Sequence, residues 1–208
     1  MIHLLLEVLI IPTTIGSWVH MFRKGSGRVL SQQGLASLKY YTSLSNIFAG
    51  LVSGLTVLCL LVNGLQASLP MWVAFLKYSA AVSVCLTFCV VVVFLGPRMG
   101  YKPLFSEEQL FLHAVGPLLA VFSFLSSPFI REMKLSAAFI AVIPTLLYGI
   151  GYAANILKNG IGEGENTNDW YGFAIGGVRS IPIAFAVILV VTWGMATGML
   201  ALRGIFQS

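Results

Sequence analysis

The stretch MWVAFLKYSAAVSVCLTFCVVVVFLG, residues 71–96, contains a single charged side chain, Lys77. An α-helix rises about 1.5 Å per residue, so about 20 mainly apolar residues cross the hydrocarbon core of a bilayer. The stretch is therefore long enough to span a membrane, although a lysine and several hydroxyl residues interrupt its apolar character. We expect Lys77 to lie close enough to the helix end for its ammonium group to reach the interface.

Five further apolar segments of similar length flank this stretch. Together the six segments cover residues 2–22, 40–64, 71–96, 108–127, 135–157 and 178–203, with glycine, proline and charged residues between them. Backbone groups that face lipid must be hydrogen-bonded within their own segment, and here only helices provide this. The sequence predicts an all-α polytopic membrane protein, a single domain over residues 1–208 built as a bundle of six transmembrane helices.

The composition supports a chain that lies almost entirely in the bilayer. Hydrophobic residues make up 58% of the chain and charged residues 9%, and the mean hydropathy is +0.91. A soluble domain carries about 25% charged residues. The net charge is +5, but the basic residues lie between apolar segments and are not gathered on one face, so we expect no nucleic acid partner. The first segment lacks a basic start and a small-residue cleavage site, so we expect it to be retained as a span.

The basic residues predict an orientation. With six spans, loops one, three and five share one side of the membrane. Most of the basic residues belong to that side: Arg23, Lys24, Arg28, Lys39, Arg98, Lys102, Lys158 and Arg179. Only Arg131, Lys134 and Arg203 lie clearly opposite. Because cytoplasmic loops are enriched in Lys and Arg, we expect loops one, three and five in the cytoplasm and both termini outside.

Two polar residues near that side form the main candidate for chemistry. Thr42 follows loop one at the start of the second segment, and His113 follows loop three at the start of the fourth, so both lie at similar depth. A histidine at this depth marks a functional site or an interhelical hydrogen bond. A threonine in a membrane helix usually bonds its own i−4 carbonyl or packs at an interface, and is a poor nucleophile unless a base takes its proton. His113 is the only nearby base at neutral pH, so the pair is more informative than either residue alone.

Other polar residues repeat at helical spacing and predict inward-facing stripes. One stripe on the second segment contains Thr42, Ser45, Asn46, Ala49 and Ser53, and one on the fifth contains Thr145, Tyr148, Gly149, Tyr152 and Asn155. In loop five, NDWYGF (168–173) supplies Asp169, Trp170 and Tyr171. The aromatic residues suit the membrane interface, and Asp169 is placed to orient His113 as the acid does in a catalytic triad. We expect Glu163 and Glu165 of the same loop to be solvated.

We predict no metal site and no cofactor. Cys59, Cys85 and Cys89 form no CxxC pair and are expected to be packing residues. His113 has no HxxxH or HExxH partner. The glycine-rich GIGEGEN (160–166) follows no strand, which argues against a nucleotide site.

Four stretches together resemble a known family. KYYTSLSNIFAG (39–50), LTFCVVVVFLGPRMGYKPLF (86–105), FLHAVGPLLAVFSFL (111–125) and NDWYGF (168–173) are similar in order and placement to the androgen-induced and androgen-dependent membrane proteins of animals, the latter regulators of tissue factor pathway inhibitor (TFPI), and to their bacterial six-span relatives. The resemblance implies an integral membrane hydrolase of a bacterial plasma membrane. In animals the family acts on fatty acid esters of hydroxy fatty acids.

The resemblance also implies roles for particular residues. It matches the family's threonine nucleophile to Thr42 in KYYT, its histidine to His113 in LHAVGP, and its aromatic loop to Trp170, Tyr171 and Phe173. The residues after Thr42, SLSN, differ from the animal proteins and leave Ser43 and Ser45 as rival hydroxyl groups.

Two functions remain as hypotheses. In the first, the chain hydrolyses lipid esters: His113 deprotonates Thr42, which attacks an ester carbonyl, while Asn46, Tyr152 or Asn155 donates to the oxyanion. An apolar cavity open to lipid would hold the fatty acyl ester. In the second, the chain is a non-catalytic lipid-binding or small-molecule transport protein, which helices broken at Pro117 or Pro144 would favour. A purely structural membrane partner would need no cavity at all.

Overall fold

The computed structural model describes residues 2–25, 32–162 and 167–207; Arg28, Glu163 and Glu165 lie outside these ranges. Six helices are long and apolar enough to cross a membrane, and we number them as spans in chain order. They are Ile2–Lys24, Tyr41–Asn63, Met71–Met99, Glu108–Ser126, Ala137–Asn159 and Ser180–Phe206. The chain is 79% helical, and the described ranges contain no strand. The predicted all-α six-helix bundle is confirmed, and each helix boundary lies within one turn of its predicted position.

The third span is the centre of the bundle. It packs against the second, fourth, fifth and sixth spans, and the side chains of Val73, Tyr78 and Val82 are fully buried. Tyr78 stacks on Phe124 of the fourth span and donates its hydroxyl hydrogen to the carbonyl of Ala196 in the sixth, at 2.7 Å. The first span packs on the second and fourth, at the opposite edge of the bundle from the fifth and sixth.

Two glycines allow the first, second and fourth spans to approach closely. A Cβ atom at Gly116 would lie 2.9 Å from both the Phe111 carbonyl oxygen and Cγ2 of Thr14. A Cβ atom at Gly50 would lie 2.6 Å from Oγ1 of Thr14. Small residues at such positions bring helix backbones together, so the three spans meet around the buried Thr14.

Three spans contain a π-helical turn, at Pro12–Gly16, Val91–Leu95 and Phe111–Val115. The first turn begins with Pro12, and each of the other two ends two residues before a proline, Pro97 or Pro117. A proline has no N–H group and its ring crowds the carbonyl four residues earlier, which for Pro117 is the carbonyl of His113. The helix widens locally and does not end. Pro144 also lies inside a continuous helix, so within the described ranges neither proline produces the broken helix that would favour transport.

Lys77 does not reach the interface, so that prediction is wrong. Its side chain is only 5% exposed, and its ammonium group donates to the carboxylate of Glu7 and, at 2.9 Å, to the hydroxyl of Ser123. The Ser123 hydroxyl also donates to Glu7. Lys77 lies on the central span, enclosed by neighbouring helices, and its partners come from the first and fourth spans. A path to the interface exists only for a side chain on the outside of the bundle.

A second buried cation lies at the end of the fourth span. Arg203 of the sixth span is 3% exposed and donates to main-chain carbonyls at this end, those of Phe124, Leu125, Ser127 and Ile130. The last carbonyls of a helix have no partner within the helix. Arg203 therefore satisfies groups that would otherwise be unpaired in the bundle interior.

Candidate functional site

His113 is fully buried in the π-helical turn of the fourth span, and its ring orientation is fixed by the third loop. Its Nδ1 lies 2.7 Å from the carbonyl oxygen of Leu104, the last residue of the short helix Tyr101–Leu104. A carbonyl oxygen can only accept, so Nδ1 carries the hydrogen and Nε2 holds the free lone pair. Within the described ranges Nε2 has no hydrogen-bond partner. His113 thus presents a nitrogen lone pair without a described partner in the bundle interior.

The predicted role of Asp169 in orienting His113 is wrong. The position of a triad acid is taken by the main-chain carbonyl of Leu104. Asp169 instead accepts from the hydroxyl of Tyr152 and from the backbone N–H groups of Phe173 and Ala174, both at 2.8 Å. Its carboxylate thus joins two backbone N–H groups of loop five to the hydroxyl of Tyr152 on the fifth span.

Asn46 ties the second span to the fourth beside both candidate residues. Its side-chain Nδ2 donates to the carbonyl of Thr42 at 2.8 Å and to the carbonyl of Leu112 at 2.9 Å. Leu112 immediately precedes His113. An amide NH2 group has two hydrogens, and both are engaged here. The predicted oxyanion role of Asn46 is therefore wrong in this arrangement, and the residue acts as a bridge between the two spans.

Thr42 is half-buried, and its hydroxyl has no hydrogen bond within the described ranges. It lies one helical turn before Ser45 and Asn46, and these two residues point to different neighbours. Ser45 shares a 2.9 Å hydrogen bond with Thr87 of the third span, whereas Asn46 contacts the fourth. Thr42 consequently lies on the face directed between those spans. Because Nε2 of His113 has no partner among the described residues, which include Thr42, the two candidate groups are not hydrogen-bonded to each other.

The two rival hydroxyl groups differ in their surroundings. The hydroxyl of Ser45 is engaged with Thr87 and also donates to the carbonyl of Thr42, so it has two partners already. The hydroxyl of Ser43 is buried and has no hydrogen-bond partner among the described residues. Ser43 therefore stays a rival to Thr42, and Ser45 does not.

Tyr152 and Asn155 both anchor loop five to the fifth span. The hydroxyl hydrogen of Tyr152 is donated to Asp169. The side-chain amide of Asn155 donates to the side-chain oxygen of Asn168 at 3.2 Å. The prediction that Tyr152 donates to an oxyanion is therefore wrong for this conformation, because its one hydroxyl hydrogen is engaged. Asn155 uses one of its two amide hydrogens here, so its oxyanion role stays a prediction.

Loop five is fastened to the start of the second span by its aromatic residues. The backbone N–H of Tyr41 donates to the hydroxyl of Tyr171 at 2.9 Å. The indole N–H of Trp170 donates to the hydroxyl of Tyr148 at 3.1 Å, and that hydroxyl donates to the carbonyl of Lys39 at 2.7 Å. Burial raises the pKa of Tyr171 well above its ordinary value, so the phenol stays neutral. These contacts fix the helix start one residue before Thr42.

A cavity of about 520 Å³ lies between the second, third and fifth spans. Three of the predicted binding residues line it: Ser45, Tyr152 and Trp170. Thr42 and His113 do not line it. Its wall residue Leu147 is 63% exposed on a spanning helix, so the cavity opens sideways to the bilayer. The structure thus separates the apolar cavity from the candidate catalytic pair.

Sequence reasoning missed the residues that act across helices. The carbonyl of Leu104 has no side-chain signal that could have identified it. The cluster of Glu7, Lys77 and Ser123 did have a signal in the sequence. Glu7 is an acidic residue in the first apolar segment, and such a residue is costly in hydrocarbon and needs a partner. Within the described ranges no three His, Cys, Asp or Glu residues form a group that could hold a metal ion. The three cysteines are free thiols, and Cys59 and Cys85 pack against the main apolar core.

Comparison of the chain with protein-family models, with curated proteins and with solved structures gave no match. The class of protein is defined by the fold: a multi-pass membrane protein, a bundle of six helices that are long and apolar enough to span a bilayer.

Proposed function

We propose that this protein is an intramembrane hydrolase of lipid esters in which His113 is the general base and Thr42 the nucleophile. The observation that supports the proposal is the state of His113: Nδ1–H is held by the Leu104 carbonyl, and Nε2 is buried and unengaged. A buried polar atom without a partner is costly, and an unpaired Nε2 supplies the lone pair that a general base needs. π-helical turns also occur frequently at functional sites.

The proposed reaction has two halves. Nε2 of His113 takes the hydroxyl proton of Thr42, directly or through one water, as Oγ1 attacks the ester carbonyl carbon. The tetrahedral intermediate expels the alcohol oxygen, which receives the proton from Nε2 and leaves an acyl-threonine. Water then attacks this ester while giving a proton to Nε2. Collapse of the second intermediate returns the proton to Oγ1 and releases the carboxylic acid.

Backbone N–H groups are candidate donors for the oxyanion, since Asn46 and Tyr152 donate all their side-chain hydrogens elsewhere. The first N–H groups of a helix have no partner within that helix. The N–H of Tyr41 already donates to Tyr171. The N–H groups of Thr42 and Ser43 follow it in the first turn and carry the positive end of the helix dipole.

The substrate class and the location come from the family resemblance. We propose fatty acid esters of hydroxy fatty acids, or similar acyl lipids, as substrates, and a bacterial plasma membrane as the site of action. A lipid substrate suits a half-buried threonine on a spanning helix, because such a substrate reaches the protein through the bilayer.

The experiment is hydrolysis of a panel of such esters by the purified protein, combined with covalent labelling by a fluorophosphonate and location of the adduct by mass spectrometry. We expect labelling on Thr42, complete loss of turnover in Thr42→Ala, and a loss of about 10²–10⁴-fold in kcat for His113→Ala. Thr197→Ala, on the sixth span, is the matched control and should retain the wild-type rate. Wild-type turnover by Thr42→Ala would refute the assignment, and labelling of Ser43 would move the nucleophile by one residue.

The cavity favours a second candidate, binding of a lipid without chemistry. Its wall excludes Thr42 and His113 and is open to the bilayer at Leu147. Binding of lipid by a protein that hydrolyses no ester of the panel would support this function over the first.

A further inference from the structure

The lipid-facing cavity has a positively charged mouth. Lys39 lies two residues before Tyr41, the first residue of the second span, and it lines the cavity. The ends of a spanning helix are expected at the membrane interface. Its ammonium group lies 5.2 Å from the ring centroid of Tyr40 and 5.4 Å from that of Trp170. Two aromatic faces therefore hold the cation in place without neutralising its charge.

The charge of Lys39 has no carboxylate to balance it among the described residues. In those ranges the carboxylate of Glu7 pairs with Lys77, and that of Glu108 contacts His20. The two rings that hold the ammonium group belong to different parts of the chain, and Trp170 is itself fixed by its hydrogen bond to Tyr148. An anion that arrived at this mouth would meet a cation already positioned for it.

The inner part of the cavity suits a hydrocarbon chain. Leu44, Phe48 and Leu147 supply apolar surface, and the helical position Gly151 leaves open space where a Cβ atom would stand. Leu44 is 40% exposed and Leu147 63%, so a chain can enter from the bilayer without leaving hydrocarbon. The volume of about 520 Å³ falls in the range of about 300–1,000 Å³ typical of small-ligand pockets.

We propose that this cavity binds an anionic phospholipid of the adjacent leaflet, with its phosphate group at Lys39 and one acyl chain along Leu44, Phe48 and Leu147. The positive charge at the mouth matches the phosphate group, and the apolar wall matches the acyl chain. The inference rests on the lipid-binding function stated above as the second candidate, and names its ligand. It uses neither Thr42 nor His113, so it is independent of the proposed hydrolysis.

The test is native mass spectrometry of the full-length protein in detergent, with phosphatidylglycerol, phosphatidylcholine or oleate added at equal concentrations. We expect one phosphatidylglycerol per protein, bound about fivefold more tightly than phosphatidylcholine, the preference that one basic group near an anionic lipid provides. Lys39→Gln should reduce this preference to about one, and Lys39→Arg should retain it. Lys134→Gln, an exposed lysine of the opposite loops, is the matched control and should change nothing.

A second variant tests the part of the cavity that is proposed to hold the acyl chain. Leu147→Trp, which fills the cavity from its open side, should weaken both phospholipids while thermal unfolding stays cooperative. Equal binding of the two phospholipids to the wild type would overturn the anionic head-group assignment and leave lipid binding intact. Tighter binding of oleate than of phosphatidylglycerol would overturn the choice of a phospholipid. Binding of no lipid at all would overturn both this inference and the second candidate function, whereas the hydrolysis assay would be unaffected.

Discussion

Replacement of Lys77 by methionine should strongly destabilise the bundle, because it leaves a buried charge without its partner. The Lys77 and Glu7 side chains are 5% and 3% exposed, and the remaining hydrogen-bond donor to Glu7 is Ser123. Removal of one member of a buried ion pair costs about 3–5 kcal/mol. One other contact is lost with it, the hydrogen bond from Lys77 to Ser123 of the fourth span. We expect a loss of about 3–5 kcal/mol in the free energy of unfolding.

The double replacement Glu7→Met with Lys77→Met separates this cause from simple loss of packing. With both charges removed, an apolar pair of similar volume is neutral or more stable than the ion pair by about 1–4 kcal/mol. The double variant should therefore be clearly more stable than Lys77→Met alone. The hydroxyl of Ser123 can then donate to its own i−4 carbonyl, which leaves no unpaired group.

The measurement is reversible unfolding in mixed micelles as the fraction of denaturing detergent rises, followed by circular dichroism. Lys134→Met removes an exposed lysine and should stay within about 0.5 kcal/mol of wild type. A change below about 0.5 kcal/mol in Lys77→Met, or a double variant no more stable than the single one, would refute the claim that a buried ion pair joins the first, third and fourth spans.

Three further replacements test the packing around the candidate site by the same assay. Gly116→Ala should cost about 1–3 kcal/mol because its Cβ would meet Cγ2 of Thr14 in the first span as well as the Phe111 carbonyl of its own span. A Cβ at Gly198 meets nothing, so Gly198→Ala should be neutral or slightly stabilising, and equal effects would contradict the close approach of the first and fourth spans. Asn46→Asp should be about 1–3 kcal/mol less stable than Asn46→Ala, since a carboxylate cannot donate to two carbonyls, and the reverse order would exclude the bridge. The pKa of Tyr171 is raised from the ordinary value of 10.0, so its contribution to the free energy of unfolding is complete below about pH 10 and falls above it. Tyr171→Phe should cost about 1 kcal/mol at pH 7 and should lose stability less steeply than the wild type above pH 10. An unchanged dependence of stability on pH would contradict the burial of Tyr171.

The sequence alone was sufficient for the number of helices, their boundaries and the fold class. Length and apolar character decide whether a helix crosses a bilayer, and both are local properties of the chain. The prediction that Thr42 and His113 lie on the same side of the membrane also follows from the sequence. The second span begins after loop one and the fourth after loop three, and odd-numbered loops share one side.

The tertiary structure decided what each polar side chain does. Asn46, Tyr152 and Asp169 carry groups that suit an active site, yet each already has a hydrogen-bond partner from another segment. Lys77 is an interface residue by its position in the sequence and the centre of a buried cluster by its position in the bundle. The orienting partner of His113 is a main-chain carbonyl, which every residue has and no sequence pattern marks. A hydrogen bond between helices depends on rotation and register, and these are set by packing of the whole bundle.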